Sequence, residues 1–465
     1  MSLFLLLVYF VCAYTRPMDF FPELAPYRIM LWLGAMCGAA AVGGLVLREE
    51  RLSLRTPQIF LMVALLFAVV ISRIAQGWFG GGLLAFTNFG TTAAVFFLIV
   101  MVVSSIRKLA ALALAMVLCS VFLAGQAIAA YHFGYDAKRF VISQAASLGD
   151  EVAAPADTNS DDEDDRAEAQ DEAQEQTQEQ TQDSDRPRLL RVRSVGFLAD
   201  PNDFAQALLM VLPMLGLAWR PSNAFRNFLL VLIPGAILLY AVYLTHSRGA
   251  LVGLAVMLFM AARQRWGTIR AIVAAAVLVA LGALLQFGGG RSFSMQEASN
   301  AGRLDAWSAG LVMFRQQPLF GVGYSMFTDH NELTAHNSFV LCFAELGLFG
   351  YFFWLALLLI TGYQLSDLMQ ERSEEEGGHS IARWAGIIQM SFYSFLATAF
   401  FLSRTYNVGL YILLAFTVVL VEIARQMGQP VRIPAFPSWF SKVGVLEFAS
   451  IVAVYGLVRV FHALR

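Results

Sequence analysis

Charged side chains are scarce in this chain of 465 residues. Asp, Glu, Lys and Arg together make up 14% of the sequence, whereas hydrophobic residues make up 58%. Soluble domains carry about 25% charged residues and about 45–50% apolar ones. The shortage of charge therefore excludes an ordinary soluble protein. We expect an all-α polytopic membrane protein with about 12 transmembrane helices.

Several sequence signatures of chemistry are also missing. The chain has four cysteines, all inside apolar runs, so a disulfide framework is not expected: Cys12, Cys37, Cys119 and Cys342. The metal-binding pattern H-E-x-x-H, a cysteine cluster and a glycine-rich phosphate loop are absent from the sequence. We therefore predict no metal and no cofactor, and we expect neither nucleotide chemistry nor nucleic acid binding.

Long apolar runs are what the sequence has in abundance, and roughly 20 such residues cross about 30 Å of hydrocarbon. The runs lie at 1–15, 28–47, 57–76, 86–103, 108–131, 201–219, 225–245, 249–262, 268–287, 337–363, 383–402, 407–424 and 443–461. The last is interrupted enough to be a re-entrant or interfacial helix. The first lacks a basic n-region and a cleavage site, so we interpret it as a membrane helix and not as a removed signal peptide.

The basic residues of the short loops predict how the chain is oriented in the membrane, because cytoplasmic loops are enriched in Lys and Arg. The basic loops alternate along the chain and contain Arg48, Arg51 and Arg55; Arg107 and Lys108; Arg220 and Arg226; Arg263, Arg265 and Arg270; Arg372 and Arg383; Arg425 and Arg432. The opposite loops, including 132–200 and 288–336, then face the periplasm or the cell exterior. His336, Arg248 and Arg303 all fall on that outer side.

These patterns divide the chain into five parts. They are N-terminal membrane helices (1–131), an outer loop (132–200), membrane helices (201–287), a structured outer loop (288–336) and C-terminal membrane helices (337–465). Within the first loop, 157–187 contains 13 of the chain's 34 acidic residues. This stretch has no apolar face, so we expect it to be disordered.

The second outer loop contains a short amphipathic pattern. Apolar side chains recur at helical spacing at Leu304, Trp307, Leu311 and Phe314. The pattern ends at Pro318, Gly321 and Gly323. A helix of this length is too short to span a membrane, so we expect it to lie on the membrane surface with Trp307 at the interface.

A histidine stands at the mouth of the longest apolar run, in AHNSFVLCFAELGLFG (335–350). On an ideal helix, Gly347 and Gly350 share the face of His336, which predicts a bare strip suited to a lipid-like group. Histidine has an unperturbed pKa near 6.5, and a nearby arginine would lower this pKa and keep the ring neutral. Neutral imidazole is the form that a general base needs, so His336 is a candidate base.

Two neighbours of this histidine have different expected roles. Asn337 could orient the His336 ring or hydrogen-bond a sugar hydroxyl. Glu345 falls on the opposite helix face, so we expect a structural hydrogen bond to another helix.

Four outer arginines are candidates for binding an anion. Arg248 begins a short helix, where a guanidinium and unpaired N–H groups point at the same ligand. Arg303 is expected to open the amphipathic helix in the same way. The alternatives are an arginine that reaches lipid headgroups for Arg248 and an ion pair with Asp305 for Arg303. Arg291 and Arg404 are further candidates for substrate binding.

The segment LADPNDFAQ (198–206) carries another polar group where the chain re-enters the membrane. Asn202 is a candidate for substrate contact. The alternative is a helix start in which Asp200 is the N-cap and Pro201 the first helical residue.

Taken in order, three motifs resemble the O-antigen ligase and O-antigen polymerase superfamily. They are SRGA (247–250), RLDAW to PLFGVG (303–323) and AHNSF to AELGLFG (335–350). The family pattern H-[NSQ]-x9-G-x-x-[GTY] is matched by His336, Asn337, Gly347 and Gly350. GFLADPNDFA (196–205) also resembles the family's re-entry segment, and the acidic insert departs from the family's pattern.

The resemblance implies a glycosyltransferase of the bacterial cytoplasmic membrane whose active site faces the periplasm. Such an enzyme takes a glycan from an undecaprenyl-diphosphate donor and passes it, without metal, to a lipid, glycan or protein acceptor. Arg248 and Arg303 would bind the diphosphate and stabilise the leaving group. His336 would activate the acceptor hydroxyl, with inversion at the anomeric carbon. Membrane lipids are the remaining expected partners.

Other functions fit parts of the same pattern. An O-antigen or exopolysaccharide polymerase, or a protein O-oligosaccharyltransferase, would use the same donor site. A flippase or transporter for the lipid-linked glycan belongs to a different class. Paired discontinuous segments in two matching halves would indicate such a transporter, and the sequence does not show them.

Overall fold

Helices make up nearly all the regular structure of the protein. The computed structural model describes residues 2–27, 29–46, 56–143, 190–284, 293–370, 376–432 and 436–464. The acidic stretch 157–187, for which we predicted disorder, and the candidate Arg291 lie outside the described residues.

The N-terminal helices are followed by a small sheet. The helices are α1 (Ser2–Thr15), α2 (Pro17–Phe20), α3 (Ile29–Val46), α4 (Pro57–Ile74), α5 (Phe79–Val102), α6 (Ile106–Phe133) and α7 (Ala137–Phe140). Strands β1 (Val141–Ser143) and β2 (Leu190–Val192) then pair antiparallel, with Ile142 opposite Arg191. This sheet was not expected in an all-α fold, and it brings together the chain on either side of 144–189.

The remaining elements are again helical. They are α8 (Pro201–Val211), α9 (Ala224–Asn227), α10 (Ile233–Leu244), α11 (Arg248–Trp266), α12 (Thr268–Leu284), α13 (Phe293–Gln316), α14 (Phe327–His330), α15 (Ser338–Gln370), α16 (Glu376–Ala399), α17 (Val408–Gln426) and α18 (Phe436–Leu464). Short 3-10 turns occupy Pro22–Tyr27, Gly196–Leu198 and Leu212–Ala218, and a π-helical turn, Phe228–Leu232, joins α9 to α10. Each apolar run found in the sequence coincides with a helix.

Within the described part of the chain, seven helical segments are long and apolar enough to cross a membrane. They are α4, α5, α6, Ala224–Leu244, α15, α17 and Ser438–Ala463. Shorter apolar helices are Ser2–Thr15, Ile29–Gly44 and Thr268–Leu281. The protein is therefore polytopic, while the total of about 12 spans and the sidedness stay predictions. The run 443–461 lies in one unbroken helix, α18, and not in an interrupted one.

The core of the bundle lies around α15 and α17. In their most apolar stretches, 72% and 83% of the residues are buried, against 22% in α18 and 28% in Ala224–Leu244. The last two therefore present apolar side chains outwards, as helices facing lipid do. None of the four cysteines takes part in a disulfide in the described structure.

Helix α15 is kinked where a loop packs against it. Gly347 has φ 61° and ψ −166°, which are not helical values. Four backbone hydrogen bonds of 2.9–3.1 Å run across the kink, from Leu348 and Phe349 to Pro318 and Leu319 and from Val322 and Gly323 to Ala344 and Glu345. The irregular backbone thus satisfies its own polar groups, as it must inside a membrane protein.

The kink corrects the prediction of a bare glycine strip below His336. Helix α15 begins at Ser338, so His336 precedes it and has a left-handed φ of 46°. A Cβ on Gly347 would lie 2.4 Å from the carbonyl carbon of Leu319. The strip is covered by the 318–323 backbone, so it cannot take a prenyl chain. The ideal-helix argument failed because the chain is helical neither at His336 nor at Gly347.

Helix α13 corrects the prediction of a surface helix. It begins at Phe293 and is 24 residues long. Trp307 is only 9% exposed, and its indole N–H donates to the Ala335 carbonyl at 3.0 Å. The ring of Phe314 meets that of Phe343 on α15, edge to face, at 5.5 Å. The apolar stripe was correctly placed, but it packs on the protein's own helix and not on the membrane surface.

We expect Gly347→Ala to lower the free energy of unfolding by at least about 1–3 kcal/mol, because its backbone conformation is open only to glycine. Gly125→Ala in α6 is the matched control, since a Cβ there meets nothing within 4 Å. Thermal unfolding of the detergent-solubilised variants measures both. Equal melting temperatures for the two variants would show that the kink tolerates a side chain.

Candidate functional site

His336 lies in a tight turn just before α15. Its left-handed φ of 46° belongs to a region in which histidine, asparagine and aspartate are enriched among non-glycine residues. The His336 backbone N–H donates to Oγ of Ser403 at 2.9 Å, and the Thr334 hydroxyl donates to the same oxygen at 2.8 Å. Ser403 lies between α16 and α17, so this distant segment fixes the backbone of the histidine.

Ser338 ties the same two segments together at the first residue of α15. Its Oγ donates to the Leu402 carbonyl at 2.6 Å and accepts from the Arg404 backbone N–H at 2.8 Å. The Thr405 hydroxyl donates to the Ser338 carbonyl at 2.7 Å. Ser338 is fully buried, so these partners replace water. The segment 402–405 is therefore held rigidly beside His336.

Asn337 is the N-cap of α15. Its Oδ1 accepts from the backbone N–H groups of Phe339 at 2.9 Å and Val340 at 3.2 Å. The side chain is fully buried, and its amide nitrogen has no hydrogen-bond partner in the structure. The observed role is to begin α15 under the turn of His336, while contact with a sugar hydroxyl stays a prediction.

Asp203 and Arg404 form an ion pair at the site. Two guanidinium nitrogens of Arg404 donate to the two carboxylate oxygens of Asp203. The Asp203 side chain is 2% exposed and that of Arg404 is 29% exposed. The pair connects α8 to the segment that holds His336. Substrate binding by Arg404 stays a prediction, since part of its guanidinium remains open to solvent.

The start of α8 agrees with the N-cap interpretation. Asp200 accepts from the backbone N–H groups of Asn202 at 2.7 Å and Asp203 at 3.3 Å, and Pro201 is the first helical residue. Asn202, predicted to contact substrate, accepts a hydrogen bond from Arg191 at 3.1 Å.

The sequence analysis did not single out Arg191. This arginine is 6% exposed, and its Nε donates to the Thr245 carbonyl at 2.8 Å while Nη2 donates to Asn202. It therefore joins β2 and α8 to the turn that precedes Arg248. Several arginines crowd this stretch of sequence, and nothing in the pattern distinguishes the buried one.

Arg248 is the first residue of α11, as predicted. The N-cap is Ser247, whose side chain accepts from the Ala250 N–H at 3.3 Å, and the Arg248 side chain is exposed. Arg303 is placed differently from the prediction, because α13 begins at Phe293, well before it. Its charge is half-buried within the helix and not at its N-terminus.

The charged groups share one electrostatic environment. Burial lowers the pKa of His336, the Arg303 charge lowers it further, and Asp200 raises it in part. Burial lowers the pKa of Arg303, which Asp200 raises and Arg248 lowers. Burial also lowers the pKa of Arg404, which Asp200 raises. Asp200 thus acts on Arg303, His336 and Arg404, and Arg248 acts on Arg303, while the imidazole is favoured in its neutral form.

Glu345 holds the neighbouring loops, as the predicted structural role requires. Its carboxylate accepts from the Phe327 backbone N–H at 3.1 Å and from the Tyr406 hydroxyl at 2.8 Å.

Arg73, in the last turn of α4, is a buried arginine that was not predicted from the sequence. It is 8% exposed and lies over the Trp78 ring at 5.3 Å.

Among the described residues, no group of three or more His, Cys, Asp or Glu side chains could hold a metal ion. In this part of the structure three arginines lie beside the neutral imidazole of His336, together with the carboxylates of Asp200 and Asp203. Helices α8, α11, α15 and α17 all begin at this cluster, and each has a side-chain N-cap. Cations and helix N-termini together favour an anionic ligand.

The fold and the site define the class of protein: a polytopic helical membrane protein with a cationic site at the starts of several helices. Residues 233–355 match the family model described as O-Antigen ligase. The match contains Arg248, Arg303, His336 and Asn337, and it confirms the predicted resemblance to the O-antigen ligase superfamily. No curated protein matched the chain. The similarity to O-antigen ligases over residues 233–355 supports the function proposed below.

The environment of His336 predicts opposite shifts in two variants. Asp200→Asn should lower the pKa of His336, because it removes a negative charge while asparagine still caps α8. Arg303→Gln should raise that pKa towards 6.5, because it removes a positive charge. NMR titration of histidine-labelled protein measures both, with His336→Gln identifying the signal.

Asp329→Asn is the control for this titration, since Asp329 is exposed on α14 and is not among the groups that act on His336. It should leave the pKa of His336 unchanged. Shifts of the same sign in the Asp200 and Arg303 variants would contradict the proposed arrangement of charges.

Proposed function

We propose that the protein transfers a glycan from an undecaprenyl-diphosphate donor to an acceptor hydroxyl on the periplasmic side of the membrane. The observation that carries the proposal is the electrostatic coupling of Arg248, Arg303 and His336, which are far apart in sequence. A diphosphate leaving group needs cations, and an acceptor hydroxyl needs a base. This cluster supplies both.

The donor diphosphate binds at Arg248 and Arg303. Arg248 is exposed at a helix start, so its guanidinium and the first N–H groups of α11 face the same anion. Arg303 is half-buried, and lower exposure to water strengthens its attraction for a phosphate. Bidentate contacts from guanidinium to phosphate oxygens fix the donor's orientation. They also stabilise the charge that develops on the departing diphosphate.

His336 acts as the general base. Its imidazole nitrogen takes the proton of the acceptor hydroxyl while that oxygen forms a bond to the anomeric carbon. The bond from the anomeric carbon to the diphosphate oxygen breaks, and undecaprenyl diphosphate leaves with the electron pair. Attack from the face opposite the leaving group inverts the anomeric configuration, and no metal takes part. The lowered pKa of His336 keeps the base neutral at physiological pH.

We assign Arg404 and Asn202 a structural role beside this site. The Arg404 guanidinium is paired with Asp203, and the Asn202 side chain accepts from Arg191. Both pairs position the starts of α8 and of the 402–405 segment. The charge of Arg404 adds positive potential for the donor.

We expect His336→Ala to lower kcat by about 10²–10⁴, the usual contribution of a general base. The matched control is His330→Ala, an exposed histidine on the same loop, which should keep wild-type activity. Transfer by purified protein from a lipid-linked donor is the measurement, with the melting temperature verifying the fold. Wild-type transfer by His336→Ala would contradict the role of base.

We expect Arg248→Lys and Arg303→Lys each to lower kcat/KM about tenfold or more, because lysine keeps the charge but loses the bidentate contact. Arg315→Lys is the matched control, since Arg315 is exposed in the last turn of the helix that carries Arg303. Donor affinity and transfer rate are measured together. Unchanged donor affinity in both site variants would argue against diphosphate binding.

A further inference from the structure

Four aromatic side chains form a continuous row beside the turn that carries Arg248. We call them the aromatic row: His132, Tyr240, Tyr243 and His246. None of them takes part in the chemistry proposed above. His132 is the penultimate residue of α6, the two tyrosines lie one helical turn apart on α10, and His246 lies in the turn before α11.

The rings follow one another in contact. His132 and Tyr240 are nearly parallel, with centroids 5.8 Å apart and planes at 8°, and His132 Nε2 is 2.7 Å from the tyrosine oxygen. Tyr240 and Tyr243 are 6.4 Å apart with planes at 17°. Tyr243 and His246 are 5.7 Å apart. The row is thus an ordered surface and not a set of independent side chains.

The row lies on the outside of a membrane helix. Tyr240 and Tyr243 are each 40% exposed, on a candidate span of which only 28% is buried. Leu244 ends α10, and at a rise of about 1.5 Å per residue Tyr240 lies about 6 Å below that end. His246 is two residues from Arg248. The row therefore starts in the turn before Arg248, descends about one helical turn along α10 and ends at His132, at the C-terminal end of α6.

We propose that the aromatic row binds the isoprenoid chain of a polyprenyl diphosphate whose diphosphate lies at Arg248. The inference rests on the proposed function and names the surface for the lipid part of the donor. A diphosphate at Arg248 must send its chain into the bilayer, and Tyr243 and Tyr240 lie exposed on the helix that leads away from the Arg248 turn. Aromatic faces give a branched apolar chain a broad contact, while the ring edges keep their polar contacts.

An interfacial aromatic belt is the other explanation for exposed tyrosines. Belt residues meet bulk lipid, so their removal should not change the preference of the protein for one diphosphate over another. If the aromatic row binds the donor chain, its removal should change this preference. Removal of a ring should weaken binding of a long-chain diphosphate and leave a one-unit diphosphate unaffected.

The test compares the affinities of purified full-length protein for undecaprenyl diphosphate and for dimethylallyl diphosphate, which has a single isoprene unit. Tyr240→Ala and Tyr243→Ala should each weaken binding of undecaprenyl diphosphate about tenfold, or about 1.4 kcal/mol. Binding of dimethylallyl diphosphate should be unchanged. Both tyrosines are partly exposed, so the variants should fold, which the melting temperature checks.

Two matched variants control the experiment. Tyr240→Phe keeps the ring face and removes only the hydroxyl, so it should bind undecaprenyl diphosphate as tightly as the wild type. Phe79→Ala removes an aromatic side chain that is 77% exposed at the start of α5, outside the row. It should also have no effect. Loss of affinity in Phe79→Ala equal to that in the tyrosine variants would overturn the proposal, because the effect would then not be specific to the aromatic row.

The remaining outcomes separate this inference from the proposed function. Unchanged affinities in both tyrosine variants, or equal losses for the two diphosphates, overturn the aromatic row as a chain-binding surface. Binding needs no glycan, so a protein that shows the expected affinities but transfers no glycan contradicts the proposed function alone. A protein that transfers glycan while its tyrosine variants bind normally contradicts the aromatic row alone.

Discussion

Four helices begin at the same place in this protein, and hydrogen bonds between distant segments keep their starts together. Ser338 bonds to both Leu402 and Arg404, which joins α15 to the segment before α17. The Asp203–Arg404 ion pair adds α8, and Arg191 adds the turn before α11. Loss of one partner in such a buried pair leaves an uncompensated polar group, which costs several kcal/mol. The positions of Arg248, His336 and Arg404 depend on these few contacts.

Because four helices begin close together, positive charge accumulates at the site. Helix N-termini are partly positive, and three arginines next to them repel one another. Asp200 acts on Arg303, His336 and Arg404 at once, and Asp203 pairs with Arg404 directly. The two carboxylates thus reduce the repulsion without removing the cationic character of the site. The cluster therefore keeps an excess of positive charge, and an anionic ligand such as the proposed diphosphate suits it.

The sequence predicts most of the helices because run length and hydropathy are local properties. It also predicts Arg248, since a helix start is a local pattern too. It does not predict that Arg303 lies inside α13, because the ten residues before it have no clear apolar period. The kink at Gly347 depends on the 318–323 backbone, which no spacing rule includes. Arg191 acts through hydrogen bonds to segments far along the chain, and such contacts leave no signature in a single sequence.

The charged groups of the site differ in their exposure to solvent, and the differences agree with their different proposed roles. Arg248 is exposed at the edge, beside the outward-facing α10, whereas Arg303 and His336 are half-buried. In the proposed function, a lipid-linked donor approaches through the bilayer, so it meets the exposed arginine first. The half-buried groups then act where water is scarcer and electrostatic forces are stronger. His336 has its backbone fixed by Ser403 and its helix capped by Asn337, so the base is held in place before any substrate arrives. An exposed cation at the edge of the site and a histidine with a fixed backbone further in suit the proposed transfer of a glycan from a membrane lipid.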